Sequence, residues 1–331
     1  MRREAGWGRL GRLWRFWRLP PPASTNLHNL QNLLLVLLLA CQARGSARGV
    51  AREFDGGRAF SYVEQQMQFG PRIPNTPAHE RTGDWILAQL RARADTVGVQ
   101  AITHVTRRGD TLHLRNFLAR FRPAAAERVL FLAHWDTRPH ADQSANLGQQ
   151  RLPVPGANDG ASGVAVLLGV ADALKAKPPA VGADLLFVDG EDYGDFTKDS
   201  TDVLIGSRYF AAHQPPGYPP LFAVLFDMVG DKDLRIGYEG NSQAFAPEVV
   251  DRVWRTANEL GYERYFIPQV ESTLIDDHVA LQKAGIHAID VVDFNYGPGN
   301  SYWHTTEDTI DKVSAASLKV VGDVAVALVR Q

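Results

Sequence analysis

Val129-Leu130-Phe131-Leu132-Ala133-His134-Trp135-Asp136, followed by Gly156-Ala157-Asn158-Asp159-Gly160-Ala161-Ser162-Gly163, is the stretch whose reading decides the fold. Its apolar run, Val129 to Ala133, is short enough for a buried strand. The run ends on His134 and Asp136, which an open sheet presents to the crevice beyond its strand ends. A loop rich in Pro and Gly follows, and Asn158-Asp159-Gly160 opens an apolar helical run from Val164 to Leu174. A histidine at a strand end and an aspartate at a helix entry can point at a common metal ion.

Working outward, strand signals recur over residues 183–189, 221–228 and 285–292, with helical patterns at 203–212, 247–260, 278–284 and 314–329. Upstream, residues 60–69 read as a helix and Gly70-Pro71-Arg72-Ile73-Pro74 as a rigid turn. Thr76 and Pro77 then suit an N-cap and first helical position, with Trp85, Ile86 and Leu90 at core spacing. Residues 99–106 and 112–121 read as a hairpin turning at Arg108-Gly109-Asp110. That tripeptide invites an adhesion reading, but between two strands it is far more often only a turn. Strands alternating with helices predict an α/β fold: one domain over 59–331, with a mostly parallel mixed β-sheet covered by helices on both faces.

The first forty residues differ from all that follow. Six arginines face one acid, Glu4, and Leu33 to Ala40 is an unbroken apolar run ending at Cys41. A positive segment, a short apolar segment and small residues after it predict an export signal over 1–41, with 42–58 as a tether. The run is short for a membrane span. Leu38-Leu39-Ala40-Cys41 resembles the lipobox of bacterial lipoproteins, which implies lipidation at Cys41 and a periplasmic or outer-membrane-anchored protein; an ordinary cleaved signal is the alternative. Cys41 is the sole cysteine, so no intrachain disulfide and no Cys-based zinc site is possible. From residue 42 onward, 29 basic residues stand against 36 acidic ones, a net −7. Such a balance argues against a nucleic-acid partner and leaves the membrane to a lipid anchor alone.

Each predicted strand ends in a polar group: His134, then Asp189-Gly190-Glu191-Asp192, then Asp227, and Trp303-His304 in the loop after the last. Singly, each is more often a cap or a solvated charge. Five such places along one sheet edge, Asp159 included, are hard to assign to chance. Zinc suits the set, because it accepts imidazole nitrogen and carboxylate oxygen and leaves a catalytic position open. In the adjacent pair Glu191 and Asp192, one acid can ligate while the other moves protons, its pKa raised by crowding with other carboxylates.

These residues resemble the M28 zinc peptidase family from about Phe69 to the C-terminus, with motifs in the family's order. His134-Trp135-Asp136-Thr137-Arg138-Pro139, Glu191-Asp192-Tyr193-Gly194, Asp227-Met228-Val229-Gly230, Asp276-Asp277-His278 and Trp303 before His304 look most like its bacterial members of the animal-type glutaminyl cyclase group. The resemblance implies that Asp159, Asp192 and His304 ligate one zinc and that Glu191 is the acid/base. It further implies that Asp227 and Asp276 hydrogen-bond to each other behind Glu191, with His278 orienting Asp276. Trp303 would wall the glutamine pocket, with Trp135 a second substrate-binding candidate. Where animal cyclases carry a further tryptophan, this chain has Thr197 or its neighbours. Tyr193 reads as packing, and His79, His104, His113, His140, His213 and His287 as surface or packing residues.

The implied reaction is cyclisation of an N-terminal glutamine on peptides or proteins, with loss of ammonia, by a monomer. Zinc would polarise the γ-amide while Glu191 carries a proton from the α-amine to the leaving nitrogen. Attack is intramolecular, so positioning alone lowers the barrier substantially. The alternative is an aminopeptidase with two zincs, in which Asp159 bridges the ions and His134 and Asp227 complete the second site. A catalytically dead binding lipoprotein is a third reading, disfavoured by retention of every polar position.

Overall fold

The computed structural model describes residues 53–197, 200–215 and 218–331. The export segment, Cys41 and the tether as far as residue 52 lie outside the described residues. Among the described residues no helix is long and apolar enough to cross a membrane.

The strands are β1 (Thr96–Val105), β2 (Thr111–Phe121), β3 (Arg128–His134), β4 (Gly182–Val188), β5 (Ala223–Asp227), β6 (Ile236–Glu239), β7 (Phe266–Ser272) and β8 (Ala288–Val292). The helices are α1 (Gly56–Phe69), α2 (Pro77–Arg91), α3 (Ala161–Ala176), α4 (Ile205–Ala212), α5 (Gly240–Phe245), α6 (Pro247–Glu259), α7 (Asp277–Lys283) and α8 (Ala315–Leu328). Six strands form one sheet in the order β1-β2-β4-β3-β5-β8. The hairpin β1–β2 joins β4 antiparallel, while β4, β3, β5 and β8 run parallel. The small parallel pair β6–β7 escapes a sequence reading. β7 carries Pro268, Gln269 and Glu271 among its apolar residues and is largely exposed, so it lacks the buried run that marked β3, β4, β5 and β8.

Strand periodicity divides the core in two. Val129, Phe131 and Ala133 face one layer, with Phe187, Val224 and Phe226 of the neighbouring strands and the apolar residues of α1, α3 and α8. Leu130 and Leu132 face the other, against Phe210 of α4 and Ala280 and Leu281 of α7. Because β3, β4 and β5 are parallel, their carboxyl ends share one edge. His134, Asp189 and Asp227 therefore emerge together.

The sequence expectation errs at the domain's start. Helix α1 begins at Gly56, capped by the Asp55 side chain, and Phe54 is buried at 2% exposure. Its ring lies against Gly169 of α3 and Gly322 of α8, neither of which leaves room for a Cβ, and its N–H donates to Asp323. Residues 53–58 are thus packed domain and not tether. Phe54→Ala is expected to cost about 3–5 kcal/mol in chemical denaturation, whereas Phe245→Ala at an exposed position changes stability by under about 0.5 kcal/mol.

Candidate metal centre

Two overlapping trios of donors meet at the shared strand edge. Asp159, Asp192 and His304 offer ligand atoms that all lie within 4.8 Å of one another, as do His134, Asp159 and Asp227. His304 Nε2 sits 3.3 Å from Asp192 Oδ1 and 3.5 Å from Asp159 Oδ2. His134 Nε2 lies 3.1 Å from both Asp159 Oδ1 and Asp227 Oδ1. Asp192 Oδ2 is buried without a hydrogen-bond partner. An orphaned carboxylate oxygen beside imidazole nitrogens is the donor set a zinc ion requires, so the residues fit the metal.

Backbone clamps fix these ligands. The Asp136 carboxylate, fully buried, accepts the N–H groups of Glu191 (3.1 Å) and Asp192 (3.2 Å). From the other side Gly206, Ile205 and Leu204 donate to the carbonyls of Asp189, Gly190 and Glu191. Asp308 plays the same part for the other loop, accepting from Asn158 (2.8 Å) and Asp159 (3.1 Å), and receives the Tyr296 hydroxyl at 2.8 Å. Between the two carboxylates sits Arg72, fully buried. It donates to the carbonyls of Trp135 (3.0 Å), Pro155 (3.2 Å), Gly156 (2.6 Å) and Asp159 (3.4 Å). Gly156, at φ +74°, permits this approach, since a Cβ there would meet Thr137 and Arg72. Arg138 holds Asp192 Oδ1 at 2.7 Å while also paired with Asp142.

Sequence reading missed three of these supports. Arg72 read only as part of a turn, and Asp308 was not singled out. His79 read as packing, yet its Nε2 is 2.9 Å from Asp189 Oδ1 and its ring stacks on Trp135 at 4.3 Å. Trp135 itself is a correction: it is fully buried, and its Nε1 donates to the Arg115 carbonyl. Successive strand-end residues alternate faces, so with His134 at the site Trp135 turns into the core and cannot touch substrate. His278 is another, for its Nε2 lies 3.0 Å from Glu239 Oε2 and it does not orient Asp276. Asp276 instead caps its own helix through the Asp277 N–H, and among the described residues no hydrogen bond joins it to Asp227. Their coupling is through charge alone.

Above the metal donors opens a cavity of about 510 Å³ bounded by Glu191, Asp276, Phe196, Ile275, Phe294 and Trp303. Thr197 also lines it, so the neighbour that supplies aromatic surface is Phe196. Trp303 stacks on His304 at 3.9 Å and meets Phe294 edge-on. Burial raises the Glu191 carboxyl well above its usual range; Asp276, Asp192 and Asp277 add to this and His134 opposes it. Burial, then Asp227 and Asp277, push Asp276 up to about 8. Burial pulls His304 down to about 3, leaving its imidazole neutral and able to ligate.

Two outcomes follow for the metal. Arg72→Met is expected to weaken zinc binding about 10- to 100-fold, measured by chelator competition; unchanged affinity contradicts the role given to Arg72. Without metal, the fold holds extra protons at Asp276 (about 8) and Asp277 (about 7). His134 adds to them, because its bonds to Asp136, Asp159 and Asp227 outweigh the burial that disfavours its charge. A folded state richer in protons than the unfolded chain loses stability as pH rises. The Tm of the metal-free protein is therefore expected to fall between pH 6.5 and 8, while the gain on adding zinc grows. A metal-free Tm that rises across this window contradicts the reading.

With the geometry in hand, comparison with known proteins is informative. The family model described as Peptidase family M28 matches residues 116–329. The crystal structure of Porphyromonas gingivalis glutaminyl cyclase is 38% identical with a TM-score of 0.80, covering 83% of this chain and 98% of that one. A Zn-dependent exopeptidase from Parabacteroides distasonis is 34% identical with a TM-score of 0.80, covering 85% and 99%. Aminopeptidase YwaD of Bacillus subtilis is 28% identical over 215 residues, 61% of this chain, which spans only 40% of that relative's length. Orphaned donors at a parallel strand edge and the family match agree: the chain belongs to peptidase family M28 and is an enzyme of that zinc-dependent family.

Proposed function

We propose that the protein is a glutaminyl-peptide cyclotransferase, converting an N-terminal glutamine of peptides or proteins to pyroglutamate with release of ammonia. The observation that carries this reading is the presence of Asp276 and Trp303 in one cavity with Glu191. An apolar wall of Trp303, Phe294 and Ile275 accepts the methylenes of one side chain, and acids stand where its amide and the α-amine would meet. Asp159, Asp192 and His304 would hold the metal, which would supply Lewis-acid polarisation of an amide oxygen.

The chain's own residues do the rest. Glu191, its carboxyl raised well above the usual range by burial, carries the proton, taking it from the α-amine and returning it to the departing nitrogen. Asp276 stays protonated near neutral pH and so spares Glu191 a second full negative charge. The pocket walls hold the amine against the γ-carbon, which replaces a bimolecular encounter by a local one. Similarity to solved glutaminyl cyclases supports the reading. The second trio, His134, Asp159 and Asp227, favours the aminopeptidase as the alternative. The working form we propose is an exported monomer.

Ammonia release from a Gln-initiated peptide, set beside leucine release from a Leu-initiated one, decides between them. The expected result is ammonia alone; leucine alone assigns the aminopeptidase. Glu191→Gln is expected to lower kcat by about 100-fold or more with the metal retained, and full activity in that variant contradicts the assignment of the base.

A further inference from the structure

A second cavity, about 810 Å³, adjoins the first: Arg138, Asp142, Gln150 and Asp195 line both. Its far walls are the β1–β2 turn, with Arg108 and Asp110, and the loop bearing His140 and Arg151. A pocket that seats one N-terminal residue must let the rest of the chain leave, and this groove is the cavity that borders it. The acids along the groove are mostly spent on the fold. Asp142 takes both bonds from Arg138. Asp195 accepts the Thr197 N–H and hydroxyl. Asp202 accepts from His104 and from the Arg107 N–H. Among the described residues, Asp110, exposed on the same turn as Arg108, is the groove acid whose carboxylate is free of such bonds. Arg108 and Arg151 are exposed, and neither has a hydrogen-bond or ion-pair partner among the described residues.

We propose that this groove binds the residues following the substrate's first one, and that Arg108 and Arg151 recognise a carboxylate there. The preferred substrates are peptides and protein N-termini carrying an acid just downstream of the reacting residue. The acid can be an Asp or Glu side chain or, in a short peptide, the free C-terminus. This specificity rests on the peptide-modifying reading above, but not on which bond is made or broken. Both arginines lie outside the machinery assigned to the metal, so their removal leaves the reaction of a short neutral substrate unchanged.

The test uses zinc-loaded protein and tetrapeptides beginning with Gln, amidated at the C-terminus, in which one Asp, Ala or Lys moves from the second to the fourth position. A free-carboxylate version of the all-Ala peptide separates the two carboxylate sources. Binding is read by calorimetry on the Glu191→Gln holoenzyme, so the result does not depend on turnover. Ammonia release from Gln-Ala-Ala-amide by the unaltered enzyme tests the cyclase reading separately. At one position at least, the Asp peptide is expected to bind about fivefold more tightly than its Lys counterpart, the range of an exposed ion pair. The difference is expected to shrink in high salt and to vanish in Arg108→Ala/Arg151→Ala. Equal affinities for Asp and Lys peptides at every position, or a preference that survives in the double variant, overturn the proposal.

Discussion

Mutual repulsion among buried carboxylates is the constraint on which the rest of this structure depends. Asp159, Glu191, Asp192, Asp227, Asp276 and Asp277 crowd one edge of a parallel sheet, and burial raises five of the six above their usual range. Asp159 alone is lowered, because bonding to His134 and the charges of His134 and Arg138 overcome its burial. Such a set is stable only if protons or cations occupy it. The chain supplies two fixed cations: Arg138 pairs with Asp192, a candidate ligand, and Arg72 lies behind the loop that carries Asp159. A divalent ion held by either trio that shares Asp159 would remove the remaining imbalance.

The same loops must be rigid, since a ligand set that can splay apart loses its metal. Here the fold spends buried polar groups on backbone. Asp136 and Asp308 each hold two consecutive N–H groups, and Arg72 gathers four carbonyls. Catalysis inherits that rigidity. Glu191 is fixed through its own main chain on both sides, so its carboxylate is aimed by clamps that need not touch substrate.

Much of this was legible in the sequence, and the exceptions are physical. Strands β3, β4, β5 and β8 are buried on both faces, so continuous apolar runs betrayed them, and the polar residues at their ends marked the site. Strand β7 escaped because it is largely exposed and interrupted by a proline. Trp135 misled because adjacency to His134 suggests a shared site, whereas adjacent residues at a strand end turn to opposite sides. Arg72, Asp308 and His79 were invisible because the partners that matter lie far off in sequence: Arg72 reaches Trp135, 63 positions away, His79 reaches Asp189, 110 away, and Asp308 accepts from Asn158, 150 away. No local pattern distinguishes such residues from a turn or a solvated charge. The domain's start was misplaced for a similar reason, since Phe54 finds its cavity on two helices distant in sequence.

The most direct measurement is anomalous diffraction at the zinc edge from crystals of the zinc-loaded protein. One strong peak among Asp159, Asp192 and His304, with none between His134 and Asp227, is the result expected of this account. No peak at that trio, or two peaks of equal height sharing Asp159, contradicts it.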